Sequence, residues 1–212
     1  CSPAYAQAQG ENGGRLAAIC LNSHLSRRGW RSHPPVGLIS NRRDRMNGMV
    51  IVRATRRLLK CLGTTPATDV GQSTTLLGDW YATVLPWRPR QTALFVSEKT
   101  LLPVLMPFAP AATLLDRFPD QLAHVLARHQ VDAVTVAREC IDTTDYQVAT
   151  TASRSVVGSM NEFSFLADAY RQDDPELDLL DLSIRLSAVP CGPLYRRHVS
   201  PDRELQALLK DT

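Results

Sequence analysis

The sequence lacks long apolar runs, paired cysteines and abundant lysine. No apolar stretch approaches the roughly 18 residues that a membrane span requires. Its five cysteines are scattered and form no C-x-x-C pair, which argues against a disulfide framework and against a zinc ribbon. Three of the 24 basic residues are lysines, and such an arginine bias reflects genome composition more often than phosphate binding. We therefore expect a cytoplasmic protein with no membrane partner.

The common catalytic and cofactor motifs are also missing. Neither the phosphate-loop pattern G-x-x-x-x-G-K-[ST] nor the dinucleotide pattern G-x-G-x-x-G occurs, and there is no G-x-S-x-G elbow of a serine hydrolase. His124 and His129 are five residues apart, about 140° around a helix, so they do not share one metal-facing side. We expect no cofactor and no metal site, and the sequence leaves open whether the protein is an enzyme.

Positive charge is concentrated at the start of the chain. Residues 1–48 contain seven arginines and two acidic residues, whereas the rest contains 17 basic and 19 acidic residues. Residues 49–212 are therefore net acidic and lack the excess of positive charge that nucleic-acid binding requires. Nucleic-acid binding is therefore expected only through the basic tail, if at all.

Residues 1–48 also lack helical or strand periodicity and are interrupted by glycine and proline. Such a segment has too little apolar surface to offset its ordering entropy, so we expect a disordered basic extension outside the fold. We favour sequence translated upstream of a natural start at Met49 or Met46. A basic arm and an organelle-targeting leader are the alternatives. Residues 49–212 are expected to form a single domain.

Short apolar patterns define the elements of that domain. Residues 49–53 predict a buried strand, Thr55 a helix N-cap, and Gly63 the end of that helix. Two β-prone runs at 80–85 and 92–97 predict a hairpin with a longer loop. Residues 98–106 fit a helix or a strand, as do 131–141. We also expect helices over 114–126, 176–187 and 202–209, the first of them broken or re-started at Pro119. A further helix should begin at a cap at Ser155, and a strand should cover 146–151.

Strands and helices in this order predict an α+β domain. We expect a small, mainly antiparallel sheet packed with about four to six helices. The hydrophobic fraction of 44% and the charged fraction of 21% are ordinary for a globular protein.

Several motifs resemble those of an uncharacterised bacterial family of intracellular α/β domains. They are L-G-D-W at 77–80, S-E-K-T at 97–100 and R-S-V-V-G-S-M-N-E-F at 154–163. The resemblance runs from about residue 49 to residue 190. It implies a compact intracellular domain and brings no known activity, so no catalytic residue can be carried over.

The most polar motif lies at a predicted helix start. Arg154, Ser155, Ser159 and Asn161 would hold an anion if their side chains and the free amides of the helix converged on one pocket. The structural alternative, which we favour, makes Ser155 an ordinary cap and leaves Asn161 in solvent.

A second set of candidates precedes and follows the predicted hairpin. Asp79 and Glu98 could form a carboxylate pair for acid–base work or Mg²⁺, although Gly78-Asp79 also fits a simple turn. Trp80 is a candidate stacking residue and Lys99 a candidate cation. The aromatic residues around Trp80 would give a platform for single-stranded nucleic acid, but the acidic body of the chain disfavours this.

These observations favour a non-catalytic binding or interaction domain whose partner is a protein or a small anionic ligand. The alternative is a small enzyme or anion-binding domain with a pocket formed by residues 154–161 and Asp79.

Overall fold

Residues 48–211 form five strands and six α-helices. The computed structural model describes residues 48–211, so the expectation for the basic extension lies outside the described residues. The strands are β1 (Val50–Ala54), β2 (Trp80–Leu85), β3 (Thr92–Ser97), β4 (Pro103–Pro107) and β5 (Tyr146–Thr150). The helices are α1 (Arg56–Leu62), α2 (Leu114–Arg128), α3 (Ala133–Asp142), α4 (Arg154–Asp173), α5 (Leu179–Ser187) and α6 (Pro201–Lys210).

The five strands form one mixed sheet in the order β4-β3-β2-β1-β5. Strands β2, β3 and β4 pair antiparallel, with Trp80 opposite Ser97, while β1 lies parallel to both β2 and β5. The predicted hairpin over 80–85 and 92–97 is confirmed, and the ambiguous segment after it forms β4. The predicted α+β class, with a small sheet and four to six helices, is confirmed.

Helices cover both faces of the sheet, because alternate side chains of each strand point to opposite faces. One core includes Trp80, Phe95 and residues of α1, α2 and α6. The other includes Tyr81, Leu94 and residues of α4 and α5. Helix α3 packs against α2.

Local sequence signals explain the first helix. The Thr55 hydroxyl accepts a hydrogen bond from the Leu58 amide, and Gly63 ends the helix in the left-handed conformation at φ 63°. A residue with a side chain adopts that conformation less readily, so glycine is favoured there.

Two expected boundaries need correction. Helix α2 continues through Pro119 without a break, and its buried apolar stripe holds it against the sheet on both sides of the proline. Helix α4 is capped by Ser153 rather than Ser155, since the Ser153 side chain accepts from the Val156 amide. Among residues 48–211, no helix combines the length and apolar composition needed to cross a membrane.

Candidate functional site

Asp79 lies at the centre of a satisfied polar network. Its carboxylate accepts from Arg53 Nε at 2.5 Å and from Ser73 Oγ at 2.6 Å. Arg53 also donates to the Thr150 carbonyl at 3.4 Å. Asp79 is buried, and these contacts join the segment before β2 to strands β1 and β5. The network ties the sheet together and leaves Asp79 with little capacity to bind a ligand.

Tyr81 connects this network to the start of α4. Its hydroxyl accepts from the Ser153 amide at 2.9 Å and lies 3.4 Å from Glu98 Oε1. Burial raises the pKa of Tyr81, an effect that the Ser153 amide opposes and the charge of Glu98 reinforces. Asp79 and Glu98 therefore both lie near one tyrosine, but Asp79 is paired with Arg53 and the two carboxylates do not form an open pair.

The four candidates on α4 differ in exposure. Arg154, Ser155 and Asn161 are exposed, and no ion pair joins Arg154 to any residue that the structure describes. Ser159 is buried, and its Oγ has no hydrogen-bond partner within residues 48–211. The predicted pocket at this helix start therefore stays a prediction, and the cleft described below includes none of these four residues.

Trp80 and Lys99 take structural positions. Trp80 is fully buried and packs edge-on against Phe118, with ring centroids 4.9 Å apart. Tyr81 lies in the core on the opposite face of the sheet, so Trp80 and Tyr81 do not form the aromatic platform that the acidic body of the chain already disfavoured. Lys99 is exposed and donates through Nζ to the Leu76 carbonyl at 3.0 Å.

A different part of the molecule forms a charged concave site. A cleft of about 650 Å³ lies between the C-terminal end of α2 and helix α6, and we call it the α2/α6 cleft. This volume is within the range of about 300–1,000 Å³ that is common for small-molecule sites. Its charged and imidazole-bearing lining consists of Arg128, His129, His198, Asp202, Arg203, Lys210 and Asp211.

Two cations of the α2/α6 cleft have no carboxylate partner among residues 48–211. Arg203 and Lys210 are exposed on α6 and join no ion pair within the described part of the chain. Arg128, by contrast, pairs with Asp181 at 2.7 Å, and both side chains are half exposed. The unpaired cations are the groups that an anionic ligand would contact first.

His129 lies at the inner side of the cleft. Its Nε2 is 3.2 Å from Ser187 Oγ, and its carbonyl accepts from Gln206 Nε2 at 2.9 Å. Burial lowers the pKa of His129, the charge of Asp202 opposes this, and Arg128 lowers the pKa further. His129 therefore links the end of α2 to α5 and α6, and it gains a proton less readily than an exposed histidine.

A buried carboxylate supports the rim of the cleft. Glu204 is 2% exposed, its Oε2 lies 2.8 Å from His198 Nδ1, and its Oε1 pairs with Arg197. A buried carboxylate without such partners would be strongly destabilising. Glu204 thus fixes the position of His198 at the mouth of the cleft.

Strained backbone flanks the same cleft. Val199, next to His198, has φ 73°, and Gln130, next to His129, has φ 60°. A β-branched residue at positive φ is costly and persists only when the surroundings enforce it. Two backbone hydrogen bonds hold Val199 in this conformation. Its amide donates to the Leu194 carbonyl, and its carbonyl accepts from the Cys191 amide.

The sequence gives little indication of this cleft. His129 and His198 are 69 residues apart, and only the packing of α6 against the end of α2 brings them together. In the described residues, no group of three or more His, Cys, Asp or Glu side chains is arranged to hold a metal ion. His198 and Glu204 are six residues apart across the start of α6, and this short separation is a local signal that could have pointed to their pair.

Comparison with known proteins identifies the family. No curated protein and no solved structure matches the chain. A family model described as a domain of unknown function, DUF6933, matches residues 51–204, which is well over half of the chain. The match includes the three motifs at 77–80, 97–100 and 154–163 and confirms the resemblance to an uncharacterised domain family. The chain belongs to the DUF6933 family, whose function is unknown.

Proposed function

We propose that the protein is a non-catalytic, cytoplasmic binding domain of bacterial origin that holds a small dianionic ligand in the α2/α6 cleft. The ligand group would be a phosphate monoester or a dicarboxylate, which share two negative charges on oxygen atoms. The observation that carries the proposal is the pair of unpaired cations, Arg203 and Lys210, on one wall of a concave site. Charge-assisted hydrogen bonds to such a group contribute about 1.5–3 kcal/mol each.

The described lining of the cleft lacks the hydroxyl and thiol groups that most often act as nucleophiles. The side chains that line it in the described residues include no serine, threonine, cysteine or tyrosine, so they supply no hydroxyl or thiol nucleophile. His198 is held by Glu204, and His129 is held by Ser187. Cleavage of p-nitrophenyl phosphate by the purified chain, lost on His198→Ala, would contradict the non-catalytic part of the proposal.

Cellular location is a separate part of the proposal. The resemblance to a bacterial intracellular family supports it, and the described cysteines Cys61 and Cys191 are free thiols, as expected in a reducing compartment. Fractionation of bacterial cells that express the tagged chain should recover it with cytoplasmic markers. Recovery with the periplasmic or membrane fraction would contradict this part.

Thermal denaturation with added anions tests the binding function. Inorganic phosphate and a panel of phosphate monoesters and dicarboxylates should raise the melting temperature of the wild type, since a ligand stabilises by about 2.7 kcal/mol at 100 times its Kd. Ionic strength is held constant with sodium chloride, because salt alone screens surface charges. A panel in which no anion raises the melting temperature would contradict the proposal.

A matched pair of double variants localises the effect. Arg203→Ala with Lys210→Ala should weaken binding at least tenfold, the equivalent of about 1.4 kcal/mol. Arg56→Ala with Arg57→Ala removes two exposed cations of α1, outside the cleft lining, and should leave binding unchanged. Equal losses in both variants would indicate a non-specific charge effect and contradict the site.

A further inference from the structure

The His198 imidazole lies between a buried carboxylate and the α2/α6 cleft. Its Nδ1 atom is 2.8 Å from Oε2 of the buried Glu204. The His198 side chain is itself 49% exposed and forms part of the cleft lining. The ring therefore contacts the protein on its Nδ1 side, while about half of its surface is accessible from solvent.

The contact with Glu204 determines which nitrogen of His198 is available to a ligand. A carboxylate offers only hydrogen-bond acceptors, so Nδ1 carries a proton and donates it to Glu204. The other oxygen of Glu204 pairs with Arg197, which holds the carboxylate in this orientation. Within residues 48–211, no hydrogen bond engages Nε2 of His198. Nε2 is therefore the ring nitrogen that remains for a ligand.

We propose that His198 is a third cationic contact for the ligand of the α2/α6 cleft, beside Arg203 and Lys210, and that it takes up a proton when the anion binds, an inference that rests on the proposed function. In the neutral ring Nε2 is an acceptor and repels an anionic oxygen, whereas the protonated ring donates from Nε2. The proton comes from the solvent, and no bond of the ligand is broken. The imidazolium then lies between the Glu204 carboxylate and the bound anion.

The charged groups around His198 explain why protonation should accompany binding. The anionic groups are Asp202, Glu204 and Asp211. The cationic groups are Arg197, Arg203 and Lys210, with Arg128 at the end of α2. In the empty cleft these cations repel an imidazolium, whereas a bound dianion offsets their charge and attracts it. A proton that is held more tightly in the bound state than in the free state is taken up on binding.

His129 is the other imidazole of the cleft and is less suited to gain this proton. Burial lowers its pKa, the charge of Asp202 opposes this, and Arg128 lowers the pKa further. Its Nε2 is 3.2 Å from the Ser187 hydroxyl, a neutral group. His198 instead has a carboxylate at 2.8 Å, so we expect the proton at His198.

Isothermal titration calorimetry of the full chain counts the protons. Methyl phosphate and oxalate are the probes, because both are dianions at pH 7.5 and exchange few protons of their own. Titrations in buffers of different ionisation enthalpy, at constant ionic strength, give the number of protons taken up per anion bound. We expect uptake of a substantial fraction of one proton, and an affinity that falls by up to about tenfold per pH unit above pH 7.5.

Variants identify the imidazole that gains the proton. His198→Gln should lower the affinity and remove its pH dependence, because an amide does not titrate. His124→Gln is the matched control, since His124 is exposed on α2 outside the cleft lining, and it should change neither. A pH dependence that survives His198→Gln would overturn the inference.

The negative charge of Glu204 is tested separately. Glu204→Gln keeps an acceptor for Nδ1 but removes the charge behind the ring, so it should reduce the number of protons taken up. A purely structural role of Glu204 would change the affinity and leave that number unchanged, which would contradict its part in the coupling. Circular dichroism verifies that this variant is folded.

Proton NMR of the wild type gives a measurement that does not depend on the folding of any variant. The Hε1 resonance of His198 should move toward its protonated position as either probe saturates the protein at constant pH. Saturable binding without proton uptake, or with a shift of His129 in place of His198, would overturn the inference and leave the proposed function standing. If neither probe binds saturably, the proposed function fails and the inference fails with it.

Discussion

Arg53 and Asp79 form a largely buried ion pair, with Nε and Oδ2 2.5 Å apart, that joins β1 to the residue preceding β2. Removing one partner of such a pair leaves a charge with no compensation. Asp79→Ala should therefore lower the free energy of unfolding by about 2–4 kcal/mol. Asp79→Asn keeps an acceptor for Ser73 and should cost less. Urea denaturation measures both, and a loss below about 0.5 kcal/mol for Asp79→Ala would show that the pair is unimportant.

Glu139 fastens α3 to the segment before β2. Its two carboxylate oxygens accept from the amides of Leu76 and Leu77 at 2.8 and 3.1 Å. Glutamine offers one acceptor where glutamate offers two, so Glu139→Gln leaves one amide without a partner and should cost about 1–3 kcal/mol.

The cost of Glu139→Gln should depend on pH. Burial raises the pKa of Glu139, so the folded state keeps this proton to higher pH than the unfolded state does. The contribution of Glu139 to stability is then fully present below its unfolded pKa of about 4.3 and declines as pH rises through the folded pKa. Urea denaturation between pH 4 and pH 7.5 should show the advantage of wild type over Glu139→Gln shrinking as pH rises. An advantage that grows with pH would contradict this assignment.

His129 should give the opposite pH dependence. Its pKa is lowered in the folded state, chiefly by burial, so the unfolded state binds the proton more readily. The corresponding stability is present above about pH 6.5 and is lost as pH falls through the folded pKa. His129→Gln removes this titration, so the melting temperature of the wild type relative to that of His129→Gln should fall between pH 7.5 and pH 5. Parallel profiles for wild type and His129→Gln would show that burial of this imidazole has no such effect.

Substitution of Ser159 distinguishes a structural role from an anion-binding role for the start of α4. Its buried Oγ has no partner within residues 48–211, and an unsatisfied hydroxyl of this kind is destabilising. Ser159→Ala should leave the free energy of unfolding unchanged or raise it by about 1 kcal/mol, and it should not alter anion binding. A loss of phosphate binding in Ser159→Ala would instead move the site to α4.

Local sequence rules were sufficient to predict most of the helices and strands. Thr55 and Gly63 delimited α1 because capping depends on a few neighbouring residues. The two β-prone runs at 80–85 and 92–97, with a loop between them, likewise predicted the hairpin. The rules failed at Pro119, where burial of one face of α2 outweighs the lost backbone hydrogen bond.

The candidate site could not be predicted in the same way. The parallel pairing of β1 with β2 and β5, and the packing of α6 beside the end of α2, are tertiary facts with no local signal. The sequence therefore directed attention to the polar motif at Arg154, which is exposed. It set His129 aside because His129 does not share a helix face with His124, and it gave no indication that Ser187 lies beside His129 in space.

A ¹⁵N-resolved NMR titration of the full chain with inorganic phosphate, at constant ionic strength, tests the proposed function most directly. Binding in the α2/α6 cleft predicts the largest amide shift changes at residues 128–130, 198 and 203–211, with saturation, and with strongly reduced changes in the Arg203→Ala, Lys210→Ala double variant. Changes clustered at residues 153–159, or no saturable change anywhere, would contradict it.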